Sequence, residues 1–223
     1  MSFFNEYLSI PGAKDAPKGL PCIAFNKEDG QNLRFAWTKK RGWYKFGSRH
    51  CLFDESNPEF GQSISVFLNK YGDAIPKVLQ NEKEYRGITE CIAFCEWVGP
   101  NSFAGIHDPN DTLDTILFDI NPCRKGIIGP RQFIKHFGHL HTPAVLYEGN
   151  FNQEFINDIR LDRYPVKEGI VAKGNKPNGK PPHNFWICKV KTLAWLAELK
   201  RKSEYIDSLR LVLAENEREQ GVK

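Results

Sequence analysis

The chain has 223 residues, 40% of them hydrophobic and 26% charged, with a formal net charge of +4. This is the profile of an ordinary globular protein with enough chain for one sizeable core or two smaller ones. No apolar stretch approaches the roughly 20 residues that span a bilayer, and MSFFNEYLSIPGAKD lacks a basic start followed by an apolar run; the sequence points away from secretion and membrane insertion and toward an intracellular, cytoplasmic location.

In chain order, residues 20–38 read as two strands, LPCIAFN and NLRFAWT, separated by the turn-like EDGQ. A helix is expected over 58–71, where Phe60, Ile64, Phe67, Leu68 and Tyr71 recur on one face and Pro58 suits the first turn. GITECIAFCEWV and DTILFDI, rich in β-branched and aromatic residues, read as strands. Short helices are expected over 130–138 and 152–160. EGIVAKG and NFWICKVKT are two further strands, joined by NKPNGKPPH, whose Gly, Pro and Asn content marks an exposed loop.

From Leu193 the pattern becomes helical: Leu193, Leu196, Leu199, Ile206, Leu209 and Leu213 trace one face, with a break near Ser203. Strands and helices without regular alternation indicate an α+β fold of antiparallel sheets flanked by helices. Residues 1–192 are expected to form one catalytic domain, and 193–223 an amphipathic helical tail that packs on it or on a protein partner.

Six scattered cysteines (Cys22, Cys51, Cys91, Cys95, Cys123, Cys188) are read as reduced thiols. His136, His139 and His141 match no common closed zinc spacing and are read as ordinary surface or helix-end residues.

Three blocks carry the chemistry. Lys27-Glu28-Asp29-Gly30 lies between the first two strands; by itself it could simply be an Asp-Gly hairpin turn. Glu168-Gly169-Ile170-Val171-Ala172-Lys173 follows, and then Lys189-Val190-Lys191, in which strand alternation puts both lysines on one face. Alternating lysines also suit a solvated edge strand.

Taken in order, with Phe94-Cys95-Glu96 between the first and second, these blocks resemble the motifs of the covalent nucleotidyltransferases: DNA ligases, RNA ligases and mRNA capping enzymes. KEDGQN, FCEWVGP and LFDI are most similar to the phage-type RNA ligases that seal nicks. The resemblance covers roughly residues 20–192 and implies the ligase-type nucleotidyltransferase fold. It makes Lys27 the nucleophile that takes AMP from ATP, with Mg²⁺ or Mn²⁺ assisting. Lys173, Lys189 and Lys191 match the phosphate-binding lysines. Asp29, Gly30 and Asn32 fall in the nucleotide-contacting block, Arg49 resembles a basic element at the AMP or the 5′-phosphate, and Phe118 matches the aromatic that stacks on adenine. Glu96 matches the acid near the ribose and Glu168 the acid beside the metal and the reacting lysine, so both are candidate metal ligands. Arg34 stands later than the Arg many ligases carry, and its contact is left open.

Such a cluster suits the reaction. A lysine must lose its proton to attack, and neighbouring cations favour that loss while neutralising the triphosphate. The resemblance further implies transfer of AMP to a 5′-phosphate and sealing by a 3′-hydroxyl. Only 32 residues follow Lys191, too few for an OB-fold barrel. The expected partner is therefore RNA, nicked or single-stranded, with a minimal DNA ligase second, a capping guanylyltransferase behind it, and a catalytically inactive nucleic-acid-binding relative as the reading from another class.

Overall fold

A computed structural model describes residues 4–100, 110–176 and 185–221. The chain divides into two compact units: residues 4–8 with 30–100 and 110–142, and residues 9–29 with 143–176 and 185–221. Each contains one antiparallel sheet, so the α+β expectation holds. No described helix is long and apolar enough to cross a membrane.

In the first unit, β2 (Gln31–Thr38), β3 (Gly42–Ser48), β4 (Leu52–Phe53), β5 (Glu90–Val98) and β6 (Asp114–Pro122) form a five-stranded sheet in the order β4-β3-β2-β5-β6. α1 (Gly61–Tyr71), α2 (Ala74–Asn81) and α3 (Pro130–Phe137) complete it. Leu33, Phe35 and Trp37 alternate along β2 and are all buried. Phe35 stacks on Phe67 of α1 at 3.9 Å between ring centroids, which shows which side of the sheet that helix covers. In the second unit, β7 (Val145–Asn150), β1 (Pro21–Lys27), β8 (Gly169–Asn175) and β9 (Phe185–Lys191) form a four-stranded sheet in that order, with α4 (Gln153–Arg160), α5 (Leu193–Ser203) and α6 (Asp207–Gln220).

The strands over 20–38 form as expected but do not pair with each other. β1 bonds to β7 and β8, while β2 bonds to β3 and β5. Lys27–Gly30 is thus a passage from one sheet to another, and the hairpin reading falls.

The first helix starts at Gly61, not at Pro58. The Asn57 Oδ1 accepts the Glu59 and Phe60 N–H groups, fixing a turn there instead. A Cβ at Gly61 would lie 2.4 Å from the Glu55 carbonyl oxygen, so only glycine passes that turn. Four elements had no sequence signal: β3, whose residues are mostly half-buried; β4, only two residues long; β7, half of whose residues are exposed; and α2, whose Pro76 reads as a breaker. Pro76 is the third residue of α2, where its missing N–H costs no helical bond.

The helical tail breaks where expected, after Ser203. Leu196, Leu199 and Leu209 are buried as the periodicity requires, but Leu193 and Ile206 are exposed. The covered side of α6 also includes Asn216, which donates to the Val212 carbonyl, and Gln220, which meets the polar backbone edge of β9. Most of the loop between β8 and β9 lies outside the described residues.

Candidate functional site

Alternation on three neighbouring strands builds the lysine face. Register aligns Lys27 of β1 with Gly169 of β8, and Gly169 with Lys191 of β9; one step along, Val171 faces Lys189, and then Lys173 faces both Ile23 and Ile187. Lys27, Lys173, Lys189 and Lys191 therefore share one face. The alternate residues Cys22, Ala24, Ile170, Ala172, Cys188 and Val190 point the other way, into an apolar cluster with Phe155 and Ile159 of α4. One face is sealed against a helix, and the other is given to charge.

Glu168 organises that face. Its carboxylate, almost wholly buried, accepts from Lys27 Nζ at 2.8 Å through one oxygen and from Lys191 Nζ through the other. Burial pushes the Glu168 carboxyl up, but the two ammonium groups outweigh it and hold it below the usual carboxylate range. Lys191 is pushed down to about 8, first by burial and then by the nearby Lys27, against the opposing pull of Glu168.

The backbone around Glu168 is fixed by glycine and by a helix cap. Gly169 has φ +149°, and a Cβ there would lie 2.0 Å from the Val190 carbonyl oxygen. The Thr192 N–H donates to the Glu168 carbonyl at 3.0 Å, and its hydroxyl donates to the Lys167 carbonyl. Thr192 also caps α5 by accepting the Trp195 N–H. That cap brings Trp195 over the site: Lys191 Nζ lies 3.4 Å from its ring centroid, and its indole N–H donates to Asp29 Oδ2 at 3.4 Å. In the sequence, nothing distinguishes Trp195 from the rest of the amphipathic helix.

The remaining lysines are held differently. Lys173 is buried, with Nζ 5.2 Å over the Phe25 ring. Lys189 pairs with Glu219 of α6 at 2.7 Å. Gln220 follows the β9 edge, its amide accepting from the Lys191 N–H and donating to the Lys189 carbonyl. Neither Glu219 nor Gln220 stands in a recognisable motif.

In the five-stranded sheet, Asn32 of β2 lies directly opposite Glu96 of β5. A Cβ at Gly30 would lie 2.4 Å from the Trp97 carbonyl oxygen and 2.9 Å from Glu96 Cγ, so the glycine of the first block is needed for close approach. Phe118 falls at a bulge, where Leu117 pairs with Cys95 and Asp119 with Phe94. Tyr7 meets the Phe118 ring edge-on at 5.0 Å and donates a hydrogen bond to Asp119. Tyr7 carried no sequence signal, since Phe94, Phe118 and Asp119, its partners, are all far along the chain. Arg34 is buried with its guanidinium 4.4 Å over the Phe4 ring, and Arg49 is exposed just after β3.

As to metal, both Glu168 oxygens are occupied by lysines, and no group of three or more His, Cys, Asp or Glu side chains is placed to hold an ion among the described residues. All six cysteines are free thiols. His136 is a helix-end residue, buried in the last turn of α3, and its Nε2 lies 2.7 Å from Glu84.

Two antiparallel sheets with flanking helices, one sheet bearing the lysine face, constitute the ligase-type nucleotidyltransferase fold. The chain is similar to solved structures of the Naegleria gruberi RNA ligase. A variant with ATP and Mn matches at TM-score 0.61 and 15% identity over 89% of this chain and 59% of that one. Another variant with AMP and Mn gives 0.59 and 15%, covering 89% and 59%, and the ligase with PPi gives 0.61 and 15%, covering 90% and 60%. The chain thus spans about three-fifths of the length of those structures. No protein-family model and no curated protein matches it.

Proposed function

We propose that the chain is an ATP-dependent RNA ligase that works through a covalent lysyl-AMP. The observation that carries this reading is the arrangement at Glu168, where one buried carboxylate joins the lysine of the first motif block to a lysine of the last. Strand pairing alone would not require such an ion triad. The likeness to an RNA ligase with ATP, AMP and PPi supports ATP as the AMP donor.

In the first step, Lys27 Nζ gives up a proton to water and forms a bond to the α-phosphorus of ATP. The bond from that phosphorus to the bridging oxygen breaks, and pyrophosphate leaves with the electron pair. Glu168 holds the amine in place through the 2.8 Å hydrogen bond. Lys173, Lys189 and Lys191 neutralise phosphate charge, and Asp29, through the Trp195 indole, steadies the segment between Lys27 and Gly30. Asn32, Glu96 and Phe118 take the adenosine, with Arg49 as a further phosphate contact. AMP then passes to a 5′-phosphate, and a 3′-hydroxyl displaces it to join the strand.

A divalent metal fits this chemistry as a counter-charge on the triphosphate. Glu168 would hold it after releasing a lysine; Glu96, in the other unit, is a separate candidate ligand. When bound, it would supply charge neutralisation on the departing pyrophosphate.

The test is incubation with a divalent ion and α-labelled ATP or GTP. Label from ATP on the intact protein, lost in Lys27→Ala, is expected. Labelling by GTP alone would indicate a capping enzyme. No label from either would leave a nucleic-acid-binding protein without the reaction.

A further inference from the structure

In the second unit, three elements away from the lysine face enclose a cleft of about 350 Å³. Ala13 and Lys14 come from a 3-10 turn, Ile156 and Arg160 from one face of α4, and Gln220 from the last turn of α6; Lys18 closes the rim. Three lining side chains are cationic, and among the described residues no carboxylate or aromatic ring lines it. Such a cleft attracts an anion and offers nothing for a base to stack on.

Arg160 shows that the cleft is incomplete. Its Nη2 donates to the Gln220 carbonyl at 2.5 Å, while its buried Nε has no acceptor among the described residues. An unsatisfied buried N–H of a charged group costs free energy until an acceptor arrives.

The cleft is also joined to the lysine face. Gln220, which lines it, holds the backbone of Lys189 and Lys191, and the adjacent Glu219 pairs with the Lys189 side chain. One helix end therefore touches both places.

We infer that this cleft binds a backbone phosphate of the acceptor RNA, with Arg160, Lys14 and Lys18 as its contacts. The inference rests on the ligase reading for the identity of the polyanion. Because Gln220 serves both places, a strand seated here is held by the same helix end that positions β9. The contact carries no sequence information, since only phosphate is touched.

The experiment measures binding of a labelled 5′-phosphorylated single-stranded RNA by anisotropy across a salt series, without ATP. Loss of one phosphate contact lowers the salt slope by about 0.7 for a single strand, so Lys14→Gln/Lys18→Gln is expected to lower it by about 0.7 and to weaken binding several-fold. Lys14→Arg/Lys18→Arg is expected to keep the full slope. Arg160→Lys is expected to weaken binding with the slope kept, because charge remains while the planar fork is lost.

An unchanged slope in the Gln variant, or a lowered slope in the Arg variant, would overturn the assignment. So would displacement of the RNA by millimolar inorganic phosphate beyond the effect of ionic strength, which would mark a site for the free ion. Labelling of Lys27 by ATP is read separately. A lowered slope in a protein that takes no label would keep the cleft and discard the ligase reading.

Discussion

Glu168 is a buried carboxylate whose two oxygens are both taken by ammonium groups, one from a strand 141 residues earlier and one from the next strand. Its position in a Glu-Gly-x-Val-x-Lys block was legible. Its place beside Lys27 was implied by the resemblance; that it would also hold Lys191, while Lys189 turned to Glu219, was not, because an ion pair is made by whichever strands lie side by side. The arrangement has a consequence for pH. Lys191 titrates at about 8, so it is charged at neutral pH and loses its charge above that value. A bound phosphate would favour the charged form and raise that value again. Binding is then expected to take up a proton above pH 8 and to weaken as pH rises from 7 to 9. Calorimetry with an α,β-methylene analogue of ATP, which cannot release pyrophosphate, measures both in two buffers of different ionisation enthalpy. Equal affinity at the two pH values, with no proton uptake, would remove Lys191 from phosphate binding.

At the scale of elements, the two motif strands β8 and β9 were readable because alternation is local: one side of each is apolar enough to seal α4, and the other carries lysine. α2 and β7 were not, since Pro76 and a half-exposed edge strand give weak local signals. The hinge of the β8–β9 pair is Gly169. Replacing it with alanine places a methyl group 2.0 Å from the Val190 carbonyl oxygen, at a φ that side chains rarely adopt. Strained backbone alone costs about 1–3 kcal/mol, and the clash adds to it by forcing the strands apart. Gly169→Ala is therefore expected to lower the melting temperature by several degrees and to abolish labelling of Lys27. A variant that melts like the parent and still takes AMP would show that the Glu168 turn tolerates a side chain.

For the whole molecule, the decisive fact is that Lys27 ends a strand of one sheet and Gln31 begins a strand of the other. The segment between them is a passage and not a turn, which frees it for chemistry that a hairpin would not need. Under the proposed function, the acceptor is RNA. Nicked duplexes with RNA on the 3′-hydroxyl side are expected to be sealed at least tenfold faster than all-DNA nicks, measured by product length on denaturing gels. Equal or faster sealing of DNA would turn the assignment to the minimal DNA ligase.

The sequence by itself determined the α+β class, most strands and helices, the break at Ser203, and the four lysines. These follow from side-chain periodicity and turn chemistry, which act over a few residues. Only the tertiary structure decided that the first two strands part company, that Trp195 and Asp29 meet, that Tyr7 backs Phe118, and that Glu219 and Gln220 guard the edge of β9. Those contacts join residues far apart in the chain. They exist because whole faces and edges must be covered at once, and no local pattern encodes which partner will cover them.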